Sequence, residues 1–381
     1  MGDLERLLQR HVDAGAVPGA VALVGRGDDV EHAVVGVADL ATGAPMARDS
    51  IVRAASVGKL VTATAVMLLV EDGALRLDDP VARWLPELAE PVVVRTPSSP
   101  VDDVVPAVRP ITVRHLMTSS VGWGFPSDFS WPAVAPLMHV VQRDGRDPQL
   151  RPPPDEWLAL LARIPLLHQP GDGWLYNTSS DLQGVLLARV SGTPLPDLLQ
   201  ERVLGPLGMV DTGFVVPAAD LDRFTAYYRP TADGLELADP PDGQWSSMPA
   251  FPAGSGGLVS TLDDLHALAR MLVGGGEADG RRLLTEASVR QMATDHLDDA
   301  QRRMGSLFLD GQGWGYGGSV DGAADDPWTV PGRYGWVGGT GTSLHVVPST
   351  GDVSILLTQV GLDGPVPAPL MPEFWTYAAR A

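Results

Sequence analysis

The sequence predicts an α+β fold in which an antiparallel sheet flanked by helices is built from both ends of the chain, with an all-α lobe inserted between them. Three observations lead there. Strand-like runs rich in Val and Ala lie near the start, and similar runs return near the end. Between them the apolar residues recur mostly at helical spacing. The 381 residues, 44% hydrophobic and 19% charged, have a globular composition and suffice for one large domain of two lobes. The sheet lobe is drawn at 1–55 and about 250–381, the helical lobe at about 56–249.

Taken in order, Leu4–Ala14 carries Leu4, Leu7, Leu8 and Val12 on one helical face. Ala20–Gly25 and His32–Val37 are short strand-like runs separated by a Gly-Asp-Asp turn, which reads as a hairpin. From Leu60 to Glu71 the pattern is apolar nearly all round, the mark of a buried helix, with Gly73 as its stop. Residues 96–110 are Pro-rich and read as a loop. Helices are expected at Asp155–Arg163, Ser180–Ser191, Thr261–Gly274 and Thr285–Met292. Ser343–Val347 and Val353–Gln359 then form strands around a Ser-Thr-Gly-Asp turn.

Composition removes several classes of function. A net charge of -20 with no basic stripe repels a polyphosphate, so nucleic acid is not an expected partner. There is no cysteine, hence no disulfide, thiol catalysis or Cys-based metal site. The eight histidines are scattered without H-x-x-x-H or H-x-H spacing, so no metal is expected, and His115 and His168 read as structural. Neither a phosphate-binding loop nor a dinucleotide glycine pattern occurs. Ser255, in Ala253-Gly254-Ser255-Gly256-Gly257, lacks the first Gly of a G-x-S-x-G elbow. The start has no basic run and apolar core of a secretory signal, and the longest apolar stretch, Leu60–Val70, is too short for a membrane span. A cytoplasmic location without membrane partners is therefore the expectation.

Of 27 basic residues, 26 are Arg and a single one, Lys59, is Lys. Arg keeps its proton in any protein, whereas a partly buried Lys can lose it. The one retained lysine therefore suggests a position where a removable proton matters. Ser56 lies three residues earlier, at the start of a helix, so both side chains share a face beside unpaired backbone N–H groups. A serine hydroxyl needs a base before it attacks, and a lysine in an apolar wall can serve. Taken alone, the pair reads equally well as an N-capping hydroxyl and a solvated amine. Two further segments stand out. Tyr176 follows a Pro-Gly turn in Gln169-Pro170-Gly171-Asp172-Gly173-Trp174-Leu175-Tyr176-Asn177-Thr178, where simple ring packing is the competing reading. Trp336-Val337-Gly338-Gly339-Thr340-Gly341-Thr342 is glycine-rich enough for a substrate to approach its backbone, or is only a tight turn. Trp123, Phe125 and Trp131 fit a pocket wall and core packing equally well.

In this order the three segments resemble the S-x-x-K, Y-x-N and K-T-G signature of the serine β-lactamase/DD-peptidase superfamily, specifically its class C-like branch with the family VIII-type carboxylesterases. The likeness runs over nearly the whole chain, through Leu75-Arg76-Leu77-Asp78-Asp79-Pro80, Ile111-Thr112-Val113-Arg114-His115-Leu116-Met117-Thr118, Pro206-Leu207-Gly208-Met209 and Gly256-Gly257-Leu258-Val259-Ser260-Thr261. It implies a β-lactamase/transpeptidase-like fold, with Ser56 as nucleophile, Lys59 as base and Tyr176 relaying the proton. The oxyanion hole would be the N–H groups of Ser56 and Gly339, and no cofactor would be needed. Asn177, Thr178, Trp336 and Gly338 would touch the substrate. Two departures from the signature matter. The amide of the second motif is Asn177, one residue after the tyrosine, while Thr178 holds the usual amide position. The third motif opens on Trp336, a W-x-G form like that of the family's esterases, where peptidases carry a cation for the substrate carboxylate. The expected substrate is thus a small or short-chain ester, with acyl transfer to an alcohol as a variant. The rivals are a β-lactamase or D,D-peptidase acting on amides, and a non-catalytic binding module on the same scaffold.

Overall fold

The computed structural model describes residues 2–27, 29–141, 147–323 and 326–381. Its centre is a seven-stranded antiparallel sheet. Two strands come from the N-terminal end, β1 (Gly19–Arg26) and β2 (Asp29–Gly36). Five come from the C-terminal end: β3 (Gly313–Trp314), β4 (Ser319–Val320), β5 (Tyr334–Gly338), β6 (Thr342–Val347) and β7 (Asp352–Thr358). The strand order is β3-β4-β5-β6-β7-β1-β2, so the two ends are joined where β1 pairs with β7, Ala20 facing Thr358 and Arg26 facing Asp352. Among the described residues no strand between 37 and 312 enters this sheet. The fold is the α+β arrangement expected. The first hairpin is longer than its apolar runs because Arg26 and Asp29 still pair across the turn; Asp28 of that turn lies outside the described residues.

Period-two alternation sends the two sets of β1 side chains into different cores. Ala20, Ala22 and Val24 meet Leu4 and Leu8 of α1 (Asp3–Asp13) and Phe374 and Trp375 of α5 (Leu370–Ala378). Val21 and Leu23 belong instead to the large core that includes α2 (Gly58–Glu71), α3 (Thr178–Ser191) and α4 (Leu262–Val273). The remaining expected helices lie at Pro154–Leu161 and Glu286–Met292, each within two residues of its predicted limits. Helix α5 was not expected, because Pro365, Pro367, Pro369 and Pro372 crowd its approach and first turn. The Pro-rich stretch 96–110 is partly strand, since Val92–Val94 pairs with Val104–Pro106.

Helix α2 is the buried helix expected, with every residue from Gly58 to Leu69 buried. It ends in a Schellman motif: Gly73 has a φ of 72°, its N–H donates to the Val70 carbonyl, and the Ala74 N–H donates to that of Leu69. Packed against α3, this helix carries the Ser–Lys pair at its N-terminal end. No helix among the described residues is long and apolar enough to cross a membrane.

Several histidines are folded in as neutral groups. Burial pushes His168 down to about 4, and burial followed by the adjacent Arg333 holds His345 well below the ordinary range near 6.5. His115, His266 and His296 are lowered in the same sense, chiefly by burial. As pH drops below about 6.5 the unfolded chain takes up protons that the folded chain resists, so stability falls from there toward about pH 4. Asp264, raised by burial, opposes this with one carboxyl. The urea midpoint should therefore be lower at pH 5 than at pH 7, and His168→Leu should flatten part of that slope. A midpoint rising on acidification would contradict this account.

Candidate active site

Ser56 sits in a single 3₁₀ turn, Ala55–Val57, at the mouth of α2. The residue before it, Ala55, is held at a φ of 47°, an uncommon conformation for a side chain with a Cβ. Neighbouring segments over-determine that geometry. The Ala54 N–H donates to the Leu258 carbonyl at 2.9 Å. Thr340 and Thr342, both buried, donate their hydroxyls to the carbonyls of Arg53 and Ala54 at 2.5 and 3.0 Å. Arg53 is anchored in turn by Asp239 at 2.5 Å and lies over the Phe224 ring at 4.1 Å. Strained backbone of this kind persists where the surroundings fix it.

Lys59, one turn on, has no solvent exposure. Its Nζ lies 2.9 Å from Ser56 Oγ, 2.9 Å from Asn177 Oδ1 and 2.5 Å from the Ser255 carbonyl oxygen. The same nitrogen sits 4.8 Å above the centre of the Tyr176 ring. Asn177 reaches inward because it occupies a γ-turn, with φ 81° and ψ −60° and the Thr178 N–H donating to the Tyr176 carbonyl at 3.2 Å. That turn separates the two candidates for the cleft-facing position. Asn177 lines the cleft, whereas Thr178 opens α3 with no exposed surface and is absent from the cleft wall.

The Tyr176 ring is packed among aromatic rings: Phe308 at 4.9 Å, Trp336 at 5.5 Å, Trp174 at 6.0 Å and Trp314 at 6.4 Å between centres. The Trp336 indole N–H donates to the Tyr176 phenolic oxygen at 2.6 Å. That partner was invisible in the sequence, which offered Trp336 only as a residue facing substrate. Its ring is 3% exposed and also packs edge-on to Trp314 at 4.8 Å.

The cleft has a volume of about 310 Å³ and is bounded by Ser56, Tyr176, Asn177, Gly339 and Trp336, with Phe125, Phe129, Met138, Phe308 and Leu362 among its apolar walls. Phe125 is thus a wall residue, while Trp123 is core, its indole donating to the Ile164 carbonyl at 2.9 Å. Trp131 stacks edge-on against His168. Gly338 stands behind the cleft, and its neighbour Gly339 faces it with its carbonyl accepting from the Leu362 N–H at 2.9 Å. His115 accepts from the Thr112 N–H as part of a helix cap. Among the described residues no three His, Asp or Glu are arranged to hold a metal ion.

Besides the apolar wall residues Phe129, Met138, Phe308 and Leu362, three polar partners in this neighbourhood were not expected from the sequence. Ser255 contributes its backbone carbonyl, for which a side-chain motif search has no signal. Asp181 and Arg151 form a fully buried ion pair at 2.9 Å just beyond it. Asp181 closes the polar first turn Thr178-Ser179-Ser180-Asp181, where a carboxylate is ordinary, so nothing local marked it.

Comparison with known proteins adds the following. A family model described as Beta-lactamase matches residues 4–368. Protein Rv1367c of Mycobacterium tuberculosis is 38% identical over 91% of this chain and 87% of its own length. Esterase EstB of Burkholderia gladioli is 32% identical over 91% and 87%. The structure of EstCE1, a hydrolase with promiscuous acyltransferase activity, superposes with a TM-score of 0.81 at 27% identity, covering 99% of this chain and 97% of that one.

The two glycines of the third motif should behave differently. A methyl group on Gly338 would come within 2.6 Å of the Ala54 carbonyl oxygen, whereas one on Gly339 would meet no atom within 4 Å. Gly338→Ala should therefore cost about 1–3 kcal/mol of stability, and Gly339→Ala almost none. Thermal unfolding of both variants checks this, and equal melting temperatures would refute the close approach of β5 to the Ser56 segment.

Proposed function

The chain belongs to the beta-lactamase family, and we propose that it is a serine hydrolase that carries an acyl group on Ser56, with a neutral ester as substrate. The observation that carries this reading is the 2.9 Å contact between Lys59 Nζ and Ser56 Oγ. A neutral amine has two N–H bonds and one lone pair. Asn177 Oδ1 and the Ser255 carbonyl accept N–H bonds from this nitrogen, and its lone pair takes the serine proton. The Ser56 proton moves to Nζ as Oγ bonds to the ester carbonyl carbon. The backbone N–H groups of Ser56 and Gly339 receive the developing oxyanion. Collapse expels the alkoxide, protonated from Lys59 through Tyr176, and leaves the acyl-enzyme. Water, or a second alcohol, then releases the acyl group by the same steps in reverse. This chemistry requires neither metal nor organic cofactor.

The Trp336 hydrogen bond supports the relay. By donating to the phenolic oxygen it stabilises a phenolate and leaves the phenol's own proton for another acceptor. The cleft wall supports the ester. Above the Lys59 amine it is lined by aromatic and aliphatic groups, with no Arg, His, Asp or Glu among the described lining residues. A substrate carboxylate would be desolvated there without a cation. An ester carries no such charge, and the esterase EstB and the hydrolase EstCE1 accord with this choice.

Ser56→Ala should abolish labelling by a fluorophosphonate and turnover of p-nitrophenyl acetate and butyrate while the protein stays folded. Wild-type protein should hydrolyse those esters and turn over a chromogenic cephalosporin weakly or not at all. Faster cephalosporin turnover would make it a β-lactamase, and no labelling at all a binding module. Lys59→Arg should be nearly as inactive as Lys59→Ala, since guanidinium keeps its proton. An Arg variant within tenfold of wild type would show that only positive charge is needed. Tyr176→Phe should lower kcat by roughly 10²–10⁴ with KM little changed. Normal turnover in that variant would reduce Tyr176 to packing.

A further inference from the structure

We propose that Asp181 is a positioning residue for Lys59, acting through the backbone of Ser255. The inference rests on Lys59 being the base of the reaction. Asp181 lies in the first turn of α3, without solvent exposure, in the half of the helix whose dipole favours a carboxylate. One carboxylate oxygen accepts from the Ser255 N–H at 3.1 Å. The other accepts from Arg151 Nη2 at 2.9 Å, and the Arg151 guanidinium rests over the Phe251 ring at 4.0 Å.

The peptide unit joining Gly254 to Ser255 is therefore held at both ends. Its N–H is fixed by Asp181, and its carbonyl accepts from the Thr62 hydroxyl of α2 at 2.8 Å. Gly254 is pressed so closely on α3 that a methyl group there would lie 3.0 Å from the Gly184 nitrogen. The next carbonyl, that of Ser255, follows directly on this fixed plane, and Lys59 Nζ meets it at 2.5 Å. A charge-assisted bond is stiffer than a neutral one, which is the physical reason for a carboxylate at this position. A fully buried ion pair brings little net stability over well-packed apolar groups, so fold stability alone does not account for it. Orientation does: displacing a reacting group by an ångström can cost about 10²-fold in rate.

The single lysine makes the proposal directly measurable. Protein grown with ¹³Cε-lysine gives one lysine signal, Lys59 itself, without assignment. Asp181→Asn keeps an oxygen for the Ser255 N–H but removes the charge. It should shift the Lys59 signal and its titration midpoint, and lower kcat by roughly 10–100-fold with KM nearly unchanged. Fluorophosphonate labelling of Ser56 should slow in proportion. Asp321→Asn, which breaks the comparably buried Arg333–Asp321 pair beyond β4, serves as the stability control and should leave the Lys59 signal unmoved. Should Asp181→Asn fail to fold, the neutral pair Asp181→Asn with Arg151→Gln takes its place, with the same shift expected. A folded variant that loses thermal stability yet keeps the Lys59 signal, its titration and kcat would overturn the proposal. If the wild type neither labels nor hydrolyses esters, the assignment of the reaction fails. The lysine spectra then still decide whether Asp181 sets the amine's surroundings.

Discussion

A primary amine sealed from solvent has to be surrounded by hydrogen-bonding groups, and the positions of those groups govern much of this molecule. Lys59 draws on oxygens from three separate stretches of chain: the 3₁₀ turn that leads into its own helix, the turn before α3, and the glycine-rich segment before α4. None of these touches the others in sequence. The fold brings them together by packing α2 against α3 and by laying Ala253–Gly257 across both. An unpaired ammonium at that depth would be costly enough to unfold its surroundings. The same contacts that satisfy it also orient it toward Ser56.

On the other side of the cleft the constraint is aromatic. Tyr176 is gripped by rings on several sides, and its oxygen is met by an indole N–H from the sheet. A phenol so confined has little rotational freedom left to lose when a substrate arrives. Apolar walls continue outward from those rings through Phe125, Phe129 and Met138, so the polar chemistry is confined to the floor. Water excluded by such walls strengthens each hydrogen bond beneath them.

Much of this was legible in the sequence, and the reasons are local. Ser56 and Lys59 share a helical face at three-residue spacing, so their pairing follows from helix geometry and holds at 2.9 Å. Helix α2 declared itself by being apolar all round, and β1 and β7 by their short apolar runs. What could not be read depended on contacts between distant segments or on one backbone angle. The choice between Asn177 and Thr178 turns on a positive φ that no neighbouring residue announces. Trp336 meets Tyr176 across 160 positions of chain, and Ser255 acts through a carbonyl that every residue possesses. Helix α5 hid behind its prolines.

The pairing of β1 with β7 has a consequence for how the molecule is made. Strand β1 leaves the ribosome well before its partner β7, which emerges only after residues 27–351 between them have been synthesised. Until then β1 has β2 on one side and an open hydrogen-bonding edge on the other, with Val21 and Leu23 lacking most of their core. The sheet cannot close until that intervening chain has been made. The nascent chain thus carries a sticky apolar hairpin for tens of seconds, at roughly 5–20 residues per second, and its safe folding becomes a matter of synthesis rate and chaperone supply as much as of native stability.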